Sequence, residues 1–392
     1  MKPQRLDSLT SLRFFAALMV AVFHSCVPWA RSGPTGVVGN LGWLGVTFFF
    51  VLSGFVIAWT YRAGQSRRKF IARRLARIYP LHLAMLVFVL GGFAATGHVA
   101  GGYRGTPLGT LADALLLQAW DPLNPHVNLA WDGVAWSLSC EFFFYLAAPL
   151  LFEWMARRTF GTPLLLTWLV LLGLAAWTYE LRSAQASIVL VALPLPRMFE
   201  FALGAAAALY LRDGAARTGP WLGTLACATV LCVAWFTLGP YPPGIASPLL
   251  IEWFAPACAL LIYLVAQSDV RGGSRWLRGR GLVFLGEASF ALYMTHAVLL
   301  GIVVHFLRPV FPSSQTSVLV GEGVRLLYLC AAVALAAAVH RGFEAPVREV
   351  LLRWLDASDM RPHRAAPALA RGTRPEAIDA PVDAGRGVND RA

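Results

Sequence analysis

The sequence predicts an all-α fold, a polytopic transmembrane bundle of about ten helices. Of the 392 residues, 57% are hydrophobic and only 14% are charged, whereas a soluble domain carries about 25% charged residues. Apolar runs long enough to cross a bilayer, which takes about 20 residues, recur along the chain. The net charge of +12 is what basic loops beside membrane helices produce. We therefore expect a bilayer environment and no binding of nucleic acid.

Ten apolar runs define the candidate spans. They cover residues 11–30, 43–61, 80–98, 134–154, 163–180, 187–211, 221–239, 248–267, 282–305 and 324–341. Arg13 and His24 interrupt the first run, and no small-residue cleavage site follows it, so we expect it to be a span rather than a signal peptide.

Basic residues alternate between two sets of loops. One set is Lys2, Arg5, Arg62, Arg67, Arg68, Lys69, Arg73, Arg74, Arg77, Arg157, Arg158, Arg212, Arg217, Arg271, Arg275, Arg278 and Arg280, and the other is Arg31, Arg104, Arg182 and Arg308. Because cytoplasmic loops carry the excess of Lys and Arg, this predicts cytoplasmic N and C termini and an even number of spans.

Two segments lie outside the predicted spans. Residues 99–133 form a long predicted external loop with Trp120 and Trp131, which either binds an acceptor or only packs on the bundle. Residues 356–392 are rich in Ala, Arg, Pro and Asp and are predicted to be a disordered cytoplasmic tail. The membrane domain is therefore expected to cover residues 1–355.

Five ionisable residues interrupt the apolar spans: His24, Glu141, Arg197, Glu200 and His296. Charged groups in hydrocarbon are costly, so such residues usually face the bundle interior and mark function. With a rise of about 1.5 Å per residue, the predicted boundaries put all five in one layer, nearer the external face. A neutral imidazole is suited to general-base chemistry near neutral pH, which makes His24 the leading candidate.

Each of the other four has a structural alternative. Arg197 and Glu200 are three residues apart and could neutralise each other as an ion pair. His296 could be a core histidine bonded to a carbonyl. Glu141 shares a helix face with Ser137 and Tyr145, which could join helices through polar contacts.

Arg13 and His24 are eleven residues apart, so they lie on one helix face about 16 Å apart along the axis. Ala17, Val20 and Ala21 lie between them and predict a groove of small side chains. Such a groove suits a long, thin substrate with an anionic head and a reactive far end, such as a pantetheine thioester.

The basic cluster from residue 67 to residue 77 precedes the third span. Arginines there could bind phosphate groups of such a substrate. The alternative is ordinary cytoplasmic charge in contact with anionic lipid.

Seven short segments carry a further pattern. They are L-D-S-L-T-S-L-R-F-F-A-A-L at 6–18, F-F-F-V-L-S-G-F at 48–55, F-I-A-R-R-L-A-R-I-Y-P at 70–80, W-S-L-S-C-E-F-F-F-Y at 136–145, R-M-F-E-F-A-L-G at 197–204, L-G-E-A-S-F-A-L-Y-M-T-H at 285–296 and F-E-A-P at 343–346. Their order and spacing together are specific, although each one alone is weak. On these segments the chain resembles the acyltransferase-3 family of integral membrane O-acyltransferases over residues 6–350.

The resemblance implies an enzyme in the bacterial cytoplasmic membrane. It implies acyl-CoA, with acetyl-CoA the expected case, as a cytoplasmic co-substrate, no bound cofactor or metal, and an acceptor hydroxyl on a carbohydrate or glycosylated molecule. The implied site residues are His24 as the catalytic histidine, Arg13 in support of it or of the donor, Glu141 as an active-site acid, and Arg73, Arg74 and Arg77 for the donor. Further active-site candidates in the sequence are Ser137, Ser139, Arg197, Glu200, Tyr293 and His296.

The mechanism expected from these residues is direct transfer. His24 takes the proton of the acceptor hydroxyl, Glu141 or His296 orients the imidazole, and Arg197 stabilises the oxyanion. Two alternatives stay open: a covalent relay through Ser139 or Cys140, and a transporter or exporter of a glycan or metabolite, since polytopic bundles with buried charges often transport.

Overall fold

The computed structural model describes residues 5–26, 39, 41–62, 64–157, 159–212, 247–272, 275–307 and 317–359. The helices are α1 (Asp7–Ser25), α2 (Leu44–Thr60), α3 (Arg67–Thr96), α4 (Pro107–Ala114), α5 (Pro125–Asn128), α6 (Trp136–Met155), α7 (Gly161–Glu180), α8 (Ala184–Ala192), α9 (Pro194–Arg212), α10 (Ser247–Val270), α11 (Arg280–Glu287), α12 (Ser289–Leu307), α13 (Val318–Val339) and α14 (Ala345–Asp359). Within these ranges the β-pairing is a single bridge between Tyr103 and Ala130.

The predicted polytopic helical fold is confirmed. Seven helices of the described chain are long and apolar enough to cross a membrane, or eight if the bent pair α8–α9 is one span, and α2 is a shorter apolar helix of 17 residues. The predicted span 221–239 and most of the predicted tail lie outside the described residues. The orientation of the termini stays a prediction.

Three predicted spans differ from the helices in a way that matters for the site. α3 begins at Arg67, so the basic cluster is helical and continuous with the span predicted from residue 80. The span 187–211 bends by 46° between α8 and α9. Leu193 is extended there, because a residue that precedes a proline, here Pro194, is disfavoured in helix. The span 282–305 is divided at Ala288 into α11 and α12.

Glycine contacts hold α2 in the centre of the bundle against α9. A Cβ atom at Gly54 would lie 1.9 Å from the carbonyl oxygen of Phe201, and one at Gly204 would lie 1.8 Å from that of Val51. Only glycine lets the two backbones approach this closely. The contact fixes the face that α2 turns to the site.

Ion pairs join three helix ends at one end of the bundle. Arg67 of α3 pairs with Glu153 near the end of α6 at 2.8 Å, and Arg73 of α3 pairs with Asp356 of α14 at 2.5 Å. We call this the arginine-rich end. α3 and α12 run away from it, and α6 runs toward it.

Residues 99–133 form a compact cap at the opposite end rather than an irregular loop. The indole of buried Trp131 donates to the hydroxyl of Thr110 at 2.8 Å, while Trp120 is 42% exposed. Asp113 is buried in the cap, and neither of its carboxyl oxygens has a hydrogen-bond partner. This burial raises the pKa of Asp113 to about 8.

Candidate active site

A cavity of about 740 Å³ enters the bundle between α1, α2, α3, α6 and α12, and we call it the inner cavity. Its walls are apolar side chains of α2, such as Phe49 and Val56, with polar groups from the other helices. The polar lining residues are Arg13, Ser53, Arg74, Arg77, Ser137, Glu141, Tyr145, Ser289 and Tyr293. A mostly apolar pocket with a few convergent polar groups is the usual form of a small-molecule site.

A wider cleft of about 1870 Å³ opens at the arginine-rich end, and we call it the surface cleft. The segment after α2, the first turns of α3, and α14 form its walls. Arg74 and Arg77 line both the surface cleft and the inner cavity. The two spaces therefore adjoin each other at these two arginines.

Glu141 is the single acid among the residues that line the inner cavity. It accepts hydrogen bonds from the hydroxyls of Tyr145 at 2.5 Å and Ser53 at 3.2 Å. Three arginines and one carboxylate give this lining a formal charge of +2 (three minus one). The excess positive charge favours an anionic ligand.

Tyr293 forms the inner end of the cavity. Its hydroxyl lies 2.7 Å from the hydroxyl of Ser137 and donates to the carbonyl of Val134 at 3.1 Å. Its ring meets Phe49 edge-on, with centroids 5.9 Å apart. His296 follows one helical turn later, with its ring centroid 5.9 Å from that of Tyr293.

His24 and His296 form a hydrogen-bonded pair beyond Tyr293. Nε2 of His296 lies 3.1 Å from Nδ1 of His24. His296 is fully buried, and the hydroxyl of Tyr328 donates to its carbonyl at 2.9 Å. The pair joins α1 to α12.

The carbonyls around the pair assign the proton positions. Nδ1 of His296 lies 2.7 Å from the carbonyl of Tyr293, and Nδ1 of His24 lies 3.0 Å from that of Val20. A ring nitrogen beside a carbonyl must be the donor, so both Nδ1 atoms carry hydrogen in the neutral rings. His24 then also donates to Nε2 of His296, and Nε2 of His24 keeps its lone pair. Within the pair, Nε2 of His24 is therefore the ring nitrogen without hydrogen that neither carbonyl nor His296 contacts.

Comparison with known proteins agrees with this architecture. The family model described as an acyltransferase domain matches residues 6–341. The chain belongs to the acyltransferase-3 family. The protein is therefore a multi-pass membrane acyltransferase that transfers groups other than aminoacyl groups.

Two curated proteins resemble this acyltransferase over most of their length. Acyltransferase MdmB of Streptomyces mycarofaciens is 36% identical over 317 residues, which are 74% of this chain and 78% of MdmB. Nodulation protein 10 of Rhizobium leguminosarum bv. viciae is 26% identical over 316 residues, which are 74% of this chain and 81% of that protein. No solved structure gives a significant match.

The expectation that five buried ionisable residues share one layer is wrong. The hydroxyls of Ser137 on α6 and Tyr293 on α12 are in contact, so these two residues are at the same depth. Glu141 follows Ser137 by four residues on α6, toward the arginine-rich end. His296 follows Tyr293 by three residues on α12, in the opposite direction. Glu141 is thus about 10 Å from the histidine pair along the bundle axis. Of the two partners expected for His24, the structure shows His296.

The expected groove along α1 is also wrong. Ala17, Val20 and Ala21 are each at most 1% exposed, and both α2 and α12 pack against α1. The inner cavity instead lies beside α1, between α2, α6 and α12; it reaches from Arg13 to Tyr293, and His24 is not among its lining residues.

Arg197 and Glu200 form a separate ion pair, 3.0 Å apart, behind the wall of the inner cavity. The guanidinium of Arg197 lies 5.0 Å from the ring centre of Phe50 and bonds the hydroxyl of Thr47 at 3.3 Å. Neither charged residue lines the cavity. The geometry fits the structural ion pair, and an oxyanion role for Arg197 stays a prediction without support from it.

The proposed nucleophiles of a covalent relay are buried away from the cavity. The hydroxyl of Ser139 accepts from the backbone of Ala119 at 3.4 Å, and the thiol of Cys140 lies 3.5 Å from the carbonyl of Ala192. Neither Ser139 nor Cys140 is among the residues that line the inner cavity. The relay therefore stays a prediction.

Two cavity residues escaped the sequence analysis as individual candidates. Ser53 donates to Glu141, and Tyr145 does so from the same helix. The motif F-F-F-V-L-S-G-F held a signal for Ser53, a lone hydroxyl in an apolar run. Arg73, which is predicted to bind the acyl donor, lines the surface cleft but not the inner cavity, and it pairs there with Asp356.

Proposed function

We propose that this enzyme transfers an acyl group, acetyl in the simplest case, from acyl-CoA to a hydroxyl of a carbohydrate or glycosylated acceptor. The observation that carries the proposal is that Arg74 and Arg77 line both the surface cleft and the inner cavity. In this proposal the arginine-rich end faces the cytoplasm, as the Lys and Arg distribution predicts, and the membrane is the bacterial cytoplasmic membrane.

The donor fits the two cavities in one orientation. Guanidinium groups bind phosphate oxygens in a bidentate manner, so the nucleotide end belongs in the surface cleft. The apolar walls that α2 gives the inner cavity suit the pantetheine arm. The thioester then points toward Tyr293 and the histidine pair.

The chemistry follows from the proton positions. Nε2 of His24 takes the proton of the acceptor hydroxyl while that oxygen attacks the thioester carbonyl, so a C–O bond forms. The C–S bond breaks, and the CoA thiolate leaves with the proton from the His24 imidazolium. Nε2 of His296 stabilises that imidazolium by accepting a hydrogen bond from Nδ1 of His24. The Tyr293 ring turns aside to admit the thioester.

The test compares His24→Ala with His305→Ala, a control on the exposed last turn of α12. Equal amounts of each purified variant are incubated with radiolabelled acetyl-CoA and cell-envelope glycans, and alkali-labile label is counted. The proposal predicts a loss of at least a hundredfold for His24→Ala and full activity for His305→Ala. Undiminished transfer by His24→Ala would refute the role of the histidine.

The bent pair α8–α9 is the observation that favours the alternative, a glycan exporter, because transporters use broken helices. The described part of the chain contains one such pair, whereas transporter repeats place a second in the matching half. Flux of a glycan through proteoliposomes without any acyl transfer would support the exporter.

A further inference from the structure

α14 forms one wall of the surface cleft, although it follows the segment that matches the family model. Arg348, Leu352 and Asp356 lie at four-residue spacing on one face of α14, and all three line the cleft. Asp356 attaches this face to α3, at 2.5 Å from Arg73 and 3.6 Å from Lys69. The cleft thus depends on a helix outside residues 6–341.

The cleft carries a large excess of positive charge. Its cations are Arg62, Lys69, Arg73, Arg74, Arg77 and Arg348, and Asp356 is the single acid among the lining residues. Arg348 is half-buried and has no hydrogen bond or ion pair within the described residues. Arg353 on the same helix differs, because it is paired with Glu349 at 2.5 Å and lies outside the cleft.

The charged residues of the surface cleft lie at different depths, which we divide into an outer and a deeper level. Asp356 is level with Arg73, and Arg348 lies eight residues earlier on α14, about 12 Å nearer the bundle. Arg77 lies four residues, about 6 Å, inward from Arg73 on α3. The outer level holds Arg73, Lys69 and Asp356, and the deeper level is the part inward of it, where Arg348 lies and where Arg77 also lines the inner cavity.

We propose that α14 completes the nucleotide subsite for the acyl-CoA donor, an inference that rests on the proposed function. Arg348 binds the diphosphate at the deeper level, where the pantetheine arm enters the inner cavity. The 3′-phosphate of the donor lies at the outer level, where it binds Arg73 and Lys69 and replaces Asp356 as their ion-pair partner. Asp356 is thus a replaceable counter-ion of Arg73 and Lys69 in the empty cleft.

The experiment measures the KM and Kd of acetyl-CoA and of acetyl-dephospho-CoA, which lacks the 3′-phosphate, with full-length protein in detergent. Arg348→Gln is expected to weaken both donors about tenfold, since it removes a charge-assisted contact to a group they share. Asp356→Asn is expected to strengthen acetyl-CoA two- to fivefold and to leave acetyl-dephospho-CoA unchanged, because only the 3′-phosphate competes with this carboxylate. Arg353→Gln and Glu349→Gln are the matched controls on the same helix.

The outcomes separate this inference from the proposed function. If Arg348→Gln binds both donors like wild type while Arg74→Gln does not, the α14 subsite is refuted and the donor site stands. If wild type binds neither donor, the proposed function itself fails. Should Arg348→Gln not fold, Arg348→Lys, which keeps the charge but loses the bidentate fork, must weaken both donors by less than tenfold; equal affinity to wild type again refutes the subsite.

Discussion

Replacing His296 with leucine tests whether the histidine pair acts in the chemical step. The change removes the acceptor of the hydrogen bond from Nδ1 of His24, which is 3.1 Å long in the neutral pair. When His24 becomes an imidazolium, this bond is one to a charged group, worth about 1.5–3 kcal/mol. At about 1.4 kcal/mol per factor of ten, kcat should fall about 10- to 150-fold. Loss is not complete, because the carbonyl of Val20 still accepts from the same nitrogen.

The assay is initial rates over a range of acetyl-CoA concentrations, normalised to folded protein. KM for the donor should change little, because His296 does not line the inner cavity. His296→Asn is the matched variant, since its amide oxygen can accept from His24, and it should recover part of kcat. The reasoning is refuted if Asn is no better than Leu, or if KM rises while kcat is unchanged.

Three further predictions concern the packing, the cap and the donor site. Gly54→Ala should destabilise the bundle by about 1–3 kcal/mol, because its Cβ would lie 1.9 Å from the carbonyl oxygen of Phe201. Gly173→Ala is the control, because a Cβ there meets no neighbour. Equal unfolding temperatures for the two variants would contradict the close packing of α2 on α9. Burial raises the pKa of Asp113 from 3.8 to about 8, so the folded protein holds a proton that the unfolded chain releases, and stability falls as pH rises from about 4 to 8. Asp113→Asn should reduce this slope in thermal unfolding, since the buried Asp132 keeps a slope of its own, and should raise the unfolding temperature most at pH 8. A wild-type unfolding temperature that stays constant over this range would contradict the raised pKa of Asp113. Arg74→Gln should raise KM for acetyl-CoA about tenfold at nearly constant kcat, and an unchanged KM would place the phosphates elsewhere.

Hydropathy predicted where the described spans lie because a bilayer demands long apolar helices whatever the packing. It missed the start of α3, where the basic residues before the span are helical too. It also missed the division between α11 and α12 at Ala288, where no proline marks the end of a helix and Gly286 is itself helical. The bend before α9 had such a signal in Pro194.

The site was predicted in part because burying an ionisable group is costly. That argument selected His24, Glu141 and His296, but it could not say which of them touch. α1 ends at Ser25 rather than at residue 30, so His24 lies in the last turn of its helix and not deep within it. The sequence left Glu141 and His296 both open as the partner of His24, and the structure brings the histidine of α12 to it.

The position of Tyr293 has a consequence for how the enzyme treats its two substrates. Its hydroxyl bonds Ser137 and the backbone, which holds the ring between the inner cavity and the histidine pair. If the cavity holds the thioester, as proposed, water that reaches the histidines meets no acyl group until this ring moves. The proposed mechanism then predicts slow hydrolysis of the bound donor in the absence of an alcohol.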